Sequence, residues 1–176
     1  MIKNFLLFSF TSCMMLTHVS VGQTIDYDKK LKELGIELIP ATKPIANYVK
    51  AVRTGNLLFL AGHGPSLTDG TVMTGKLGQN YTVEQGYQAA RQTAISLIST
   101  LKNELGDLNK VKRIVKVLGM VNCTPEFTDQ PKVMNGCSDL LVQVFGEKGK
   151  HARSAVGMNA LPLGMAVEVE IIVEIE

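Results

Sequence analysis

Three side chains in this sequence carry a chemical question before any fold is considered. Arg153 stands between Ala152 and Ser154 near the head of KHARSAVGMNALPLGMAVEVEIIVEIE, the last stretch of the chain. A guanidinium is planar, permanently charged and forked, so it grips a carboxylate through two parallel N–H···O bonds, which a lysine cannot do. Arg153 is therefore either a carboxylate-binding group or a solvated strand end. His63, set in Gly62-His63-Gly64-Pro65, is either a catalytic group or a histidine placed in a turn by glycine geometry. His151, two residues before Arg153, is open to the same two readings. Lys110, Lys112, Arg113 and Lys116 make a basic run that reads as a phosphate-contacting face or as the solvated edge of an element. The sequence holds no GxGxxG, Walker loop, GxSxG or HExxH motif. It also has no CxxC pair and no Cys/His cluster, which leaves no structural zinc site.

The elements that must position these residues follow from periodicity. Tyr27 to Leu34, stopped by Gly35, predicts a short helix, and Pro40 to Pro44 an extended link. Strands are expected over Tyr48 to Val52 and Asn56 to Ala61 around a turn at Thr54-Gly55, and Thr68-Asp69-Gly70 is a further turn signal. Thr82 with Gln85 three residues on is a capping box. From it, Val83, Tyr87, Ala90, Ala94, Leu97, Leu101 and Leu105 recur at spacings of three and four, predicting a long helix ended near Gly106. Val111 to Val121 reads as a strand, and Gln130 to Phe145 as a second long helix with Val133, Cys137, Leu140, Leu141 and Val144 on one face. Lys150 to Glu176 reads as a β-hairpin. Its last strand alternates Val167, Val169, Ile171, Val173 and Ile175 with Glu168, Glu170, Ile172, Glu174 and Glu176, so one side is buried and the other polar. The order ββ–α–β–α–ββ predicts an α+β sandwich, a mixed sheet with two helices packed on one face.

A chain of 176 residues with 45% hydrophobic and 19% charged residues fits one globular domain. A net charge of +2 and only 6% aromatics argue against a polyanion partner or a base-stacking platform, so no nucleic acid is expected. The first residues differ from the rest. Lys3 supplies a positive charge, Phe5 to Leu16 is a short apolar run, and Ser20 and Gly22 put small residues just before Gln23. This reads as a cleavable signal peptide over residues 1–22, too short to span a membrane comfortably, with an uncleaved interfacial anchor as the alternative. An exported protein with no membrane attachment after cleavage is expected. Cleavage would leave Cys123 and Cys137, which read as small core residues rather than a pair. The organisation expected is a signal over 1–22, an N-terminal extension with a short helix over 23–43, and a folded domain over 44–176.

From about Pro44 onward the chain resembles the Rid family, also known as YjgF or UK114 and earlier as endoribonuclease L-PSP. The likeness rests on ANYVKAVRTGNLLFLAGHGP, on YTVEQGYQAARQTAISLISTLKNELGDLNKV and on HARSAVGMNALPLGMAVEVE. The last is the most specific, with Ala-Arg-Ser, then Leu-Pro, then Val-Glu. The insertion TVMTGKLGQNYTVEQGY and the stretch KVLGMVNCTPEFTDQPKVMNGCSDLL are similar to a longer branch of the family. The resemblance implies a chorismate-mutase-like fold, a homotrimer, and three intersubunit clefts that hydrolyse reactive enamines and imines such as 2-aminoacrylate to 2-oxo acids and ammonia. It implies no metal and no cofactor. The family's carboxylate-binding arginine falls on Arg153, and its water-positioning glutamate on Glu168. Its ring-contacting tyrosine falls on Tyr48, its cleft asparagine on Asn135, and a glycine N–H near the substrate on Gly62. The sequence departs from the family at Ala61, His63 and Ala155, where serine, glutamine and cysteine are expected, so His63 and Ala155 line the substrate site in altered form.

Three functions are open on these residues. The chain is an imine deaminase, or a non-catalytic binder of small carboxylates that keeps the cleft but lacks the hydroxyl and thiol, or an endoribonuclease. Charge, aromatic content and the lack of a paired-histidine arrangement weigh against the last.

Overall fold

The computed structural model describes residues 24–40 and 47–176. The signal-peptide reading and most of the expected link before Pro44 lie outside the described residues. Helix α1 (Tyr27–Glu33) starts where Asp26 accepts the backbone N–H of Lys29 at 2.9 Å, a local N-cap. It turns Tyr27 and Leu31 into the core, and Tyr27 meets Phe145 with ring centroids 5.5 Å apart. The extension is thus docked on the body of the fold.

Strands β1 (Ala51–Thr54) and β2 (Leu57–His63) pair antiparallel around Gly55, whose φ of 58° suits glycine. β1 begins three residues later than the pattern predicted. The Lys50 carbonyl, accepting the Ala61 N–H, extends the pairing upstream, while Tyr48 and Val49 stand exposed. Helix α2 (Val83–Leu105) has the expected capping box: Thr82 Oγ1 accepts the Gln85 N–H, and Gln85 Oε1 accepts the Thr82 N–H. It ends at Gly106 with φ 72°. Its stripe from Ala90 through Leu101 is fully buried, whereas Tyr87 emerges at the side and donates its hydroxyl to Asp139. Strand β3 (Val111–Asn122) and helix α3 (Gln130–Phe145) follow as predicted. The two long helices touch so closely that a Cβ on Gly136 would overlap the Tyr87 carbonyl.

The end of the chain differs from the expected hairpin. Strands β4 (Ala152–Met158) and β5 (Val167–Ile175) do not pair with each other. The sheet order is β1-β2-β5-β3-β4, with β3 inserted between them, parallel to β4 and antiparallel to β5. The reason is physical. β3, α3 and β4 form a β-α-β crossover, which makes β4 a parallel neighbour of β3. The connection at residues 159–166 then carries a short 3₁₀ turn, Pro162–Gly164, and is long enough to step over β3, as a two-residue turn would not be.

The result is a mixed α+β sheet with α2 and α3 on one face and the other face open. Val167, Val169, Ile171, Val173 and Ile175 face the helices, each with at most 1% exposure. The open face carries a row from Val52 through Phe59 to Ile172 in register, with Val156 and Met158 beyond. Cys123 and Cys137 are free and buried. Three members of the basic run are tied into the protein: Lys110 donates to the Leu105 carbonyl, Arg113 to Glu174, and Lys116 to Ser154.

Candidate functional site

The candidate residues gather in two places. At the first, the open sheet face meets the end of β2. Glu168 of β5 packs its carboxyl directly over Gly62, where a Cβ would overlap Oε1. A register shift between Leu60 and His63 bends β2 here and exposes Gly62 while turning His63 inward. Burial holds the Glu168 carboxyl above its ordinary pKa of 4.5, and the charge of Glu170 on the same face adds to the rise. A carboxylate that is half-buried and proton-hungry is suited to accept a proton from water.

His63 lies on the other side of the bend. Its Nδ1 is 2.7 Å from the Ala61 carbonyl and its Nε2 is 2.8 Å from Thr100 Oγ1 on α2. Burial lowers its pKa below 6.5; the Ala61 carbonyl opposes this and the Lys50 charge reinforces it. A cleft of about 740 Å³ opens beside it, lined among others by Tyr48, Gly62, His63, Ser96, Thr100 and Glu104. Tyr48 stands at its mouth, 57% exposed.

At the second place, β4 meets α3. Arg153 lies in register with Val117, which is fully buried under the helices, so Arg153 shares the helix face and folds back over α3. Its Nη1 donates to Asn135 Oδ1 at 3.1 Å and to Ser138 Oγ at 2.9 Å, and its Nη2 to the Pro131 carbonyl at 3.3 Å. Three of five N–H donors are thereby engaged within the described residues, leaving the Nε–H and one Nη2 N–H for a ligand. His151 stands behind, its Nε2 3.0 Å from Ser138 Oγ and its Nδ1 2.6 Å from the Gly149 carbonyl. Ala155 shares the face of Arg153 and packs half-buried against the core. Cys137, beneath, is no nucleophile: complete burial pushes its thiol up to about 12, although the Arg153 charge acts the other way.

The structure therefore brings Arg153 to Asn135, and brings Gly62, His63 and Tyr48 to one cleft with Glu168 against Gly62. It does not bring Arg153 to Glu168 within one chain. Glu168 is in register with Met120 and Arg153 with Val117, three residues away along an unbroken stretch of β3, so the two side chains leave opposite faces of the sheet. The sequence reading missed Ser138 and left His151 undecided. A signal was present, because Pro131, Asn135 and Ser138 are spaced four and three apart and so form one stripe of α3. Among the described residues, no group of three His, Cys, Asp or Glu could hold a metal ion, and no helix is long and apolar enough to cross a membrane.

Comparisons with known proteins agree with this architecture. Residues 28–175 match the family described as "YjgF/chorismate mutase-like, putative endoribonuclease". Protein TCP17 of Trypanosoma cruzi is 48% identical over 146 residues, covering 82% of this chain and 91% of that protein. The crystal structure of Atu1372, a protein of unknown function from Agrobacterium tumefaciens, superimposes with a TM-score of 0.79 at 41% identity, covering 85% of this chain and 94% of that one. A "putative endoribonuclease" from Shewanella oneidensis MR-1 superimposes with a TM-score of 0.81 at 32% identity, covering 87% of this chain and all of the other. The chain belongs to the YjgF/chorismate mutase-like family.

Proposed function

We propose that the protein hydrolyses reactive 2-imino acids to 2-oxo acids and ammonia, in clefts shared between the subunits of a homotrimer. The observation that carries this reading is the split site. A proton-accepting carboxyl seated on a glycine and a clamped guanidinium with donors to spare lie on opposite faces of one sheet. In one chain they cannot serve the same small ligand, whereas neighbouring copies let Glu168 of one subunit face Arg153 of the next. The open face, with Val52, Phe59 and Ile172 in a row, supplies apolar surface for such an assembly.

The chemistry is short. Arg153 holds the substrate carboxylate. Glu168 takes a proton from water as the water oxygen bonds to the C=N carbon, and returns it to nitrogen, which has received the π electrons. In the tetrahedral carbinolamine the hydroxyl proton passes through Glu168 to the amine, so that the C–N bond breaks, C=O forms and ammonia leaves. A well-placed general base contributes ~10²–10⁴-fold, and no redox change occurs, so no cofactor is required in this reading. A non-catalytic carboxylate binder is the second reading, favoured by Ala61 and Ala155, where a hydroxyl and a thiol are expected from the family pattern. RNA cleavage is not favoured, because His63 ends β2 and His151 stands just before β4, with β5 and β3 between those strands, and each has both ring nitrogens engaged. The apolar start of the chain further suggests export, so that the substrate is met outside the cytoplasm; N-terminal sequencing of the mature protein beginning at Gln23 would support that.

The deciding measurement is ammonia or 2-oxo acid release from imines generated in situ by an amino-acid oxidase. Wild type should exceed the rate without enzyme, and Arg153→Ala should fall to near that rate. Wild type matching the background on every amino acid removes the deaminase reading. Light scattering after size exclusion should give three times the chain mass.

A further inference from the structure

We propose that Ser138 and His151 are positioning residues for Arg153, joined to it in a hydrogen-bond relay of fixed direction; this rests on Arg153 being the carboxylate anchor. The direction follows from which atoms can only donate or only accept. The Gly149 carbonyl can only accept, so the proton of His151 is on Nδ1, 2.6 Å away. Burial lowers the His151 pKa below 6.5, the Gly149 carbonyl opposing and the Arg153 charge reinforcing this, and in the neutral ring so favoured Nε2 is an acceptor. At 3.0 Å it receives the Ser138 hydroxyl proton. Arg153 can only donate, so its Nη1–H fills a lone pair of Ser138 Oγ at 2.9 Å.

The behaviour of other helix hydroxyls marks Ser138 as diverted. In α2, Thr93 and Ser99 return their hydroxyls to the carbonyl four residues earlier, and Ser96 shares its own between the Gln92 and Gly64 carbonyls; Thr100, which faces His63, is the exception there. Ser138 has no such bond and gives its proton to His151 instead. That choice orients a lone pair toward the guanidinium and, with Asn135 Oδ1 and the Pro131 carbonyl, fixes it at three points. A guanidinium held this way meets a carboxylate without first losing rotamer freedom. The Ser–His contact is not a hydrolytic dyad: the Ser138 lone pair is directed at Arg153, and its neighbouring backbone N–H groups lie inside α3, where the helix ladder uses them.

The test uses the full mature protein and the coupled imine assay. Ser138→Ala and His151→Ala should raise KM on the order of 10-fold, as expected for losing one charge-assisted bond, with kcat within about twofold because the anchor acts alike in ground and transition states. Ser138→Thr keeps the hydroxyl and His151→Gln keeps an acceptor near the Nε2 position, so both should return KM to near wild type; they also serve if the alanine variants fold poorly. In an Arg153→Ala background, neither alanine change should add anything. Nitrogen NMR of wild type should show His151 with its proton on Nδ1. Unchanged KM in Ser138→Ala, additivity with Arg153→Ala, or an Nε2–H tautomer each overturns the relay. If wild type hydrolyses no imine, the same variants are titrated with pyruvate by NMR: a similar loss of affinity in Ser138→Ala keeps the relay while the deaminase reading falls. Pyruvate binding that is absent, or untouched by Arg153→Ala, overturns the anchor and the relay together.

Discussion

The β2–α2 end and the β4–α3 end of this fold are built with the same local device and put it to different uses. At each, a histidine donates Nδ1–H to the carbonyl two residues before it, Ala61 for His63 and Gly149 for His151. At each, Nε2 takes a hydroxyl proton from the long helix overhead, Thr100 on α2 or Ser138 on α3. Burial lowers the pKa of both rings and so favours their neutral forms. His63, only 8% exposed, stitches the bent end of β2 to α2, and that bend is what exposes Gly62 under Glu168. His151 is half-exposed, and its serine passes the connection on to Arg153. One histidine supports the backbone beneath an acid; the other supports a cation. A shared motif therefore does not carry a shared role, which is set by what the hydroxyl touches next.

The sharpest separation of the two ends is in the groups proposed to act on the substrate. Glu168→Gln keeps the shape over Gly62 and removes the proton acceptor, so kcat should fall by about 10²–10⁴-fold with KM little changed. Wild-type kcat should rise with pH through a midpoint above the ordinary 4.5, because burial and Glu170 lift it, and the variant should lose that limb. A flat wild-type profile across this range would detach Glu168 from the chemistry.

At the other end, Arg153→Lys keeps the charge but not the fork. One ammonium cannot satisfy Asn135, Ser138 and Pro131 and also hold a carboxylate bidentately. KM should rise by about 10–100-fold with kcat held near wild type. If lysine serves as well as arginine, the clamp on α3 is not what prepares this end for a ligand.

The third contrast is between the histidines. His63→Ala leaves Thr100 and the Ala61 carbonyl without partners in the core and should cost about 2–4 kcal/mol, a fall of roughly 5–15 °C in Tm. His151→Ala, at a half-exposed site, should cost about 1 kcal/mol and show itself in KM instead. Equal melting losses from the two would mean that both ends are structural.

These contrasts were only partly legible beforehand. The α2 capping box, the Gly106 stop and the β5 alternation are local patterns, and each appears where the spacing puts it. The pairing of β4 was not local. Alternation tells which face of a strand is buried and not which strand lies beside it, so β4 and β5 read as a hairpin although β3 separates them. The same gap hid the opposite facing of Arg153 and Glu168, which depends on the register of both strands against β3. Ser138 escaped because a polar residue in an amphipathic helix reads as surface until a partner is known. The two histidines read alike because their difference lies in Thr100 and Ser138, 37 residues after one and 13 before the other.

The smallest effect, the pH dependence of stability, tests the comparison by sign. His63 and His151 have native pKa values below 6.5, so the unfolded chain binds their protons more readily. Their contribution is fully present above pH 6.5 and is lost as pH falls from there through the native values. Glu168 runs the other way. Its native pKa is above 4.5, so the folded chain binds that proton more readily, and the contribution, full below 4.5, is lost as pH rises through the native value. Melting curves between pH 4 and 8 should thus carry two opposed slopes. His63→Gln, which stays neutral and can still bond Thr100, should flatten the loss on acidification. Glu168→Gln should raise Tm at neutral pH and leave it unchanged at the acid end. Should Glu168→Gln instead melt lower than wild type at pH 7, the ionised carboxylate is being stabilised by a partner that outweighs its burial, and its role as a proton-hungry base is lost with it.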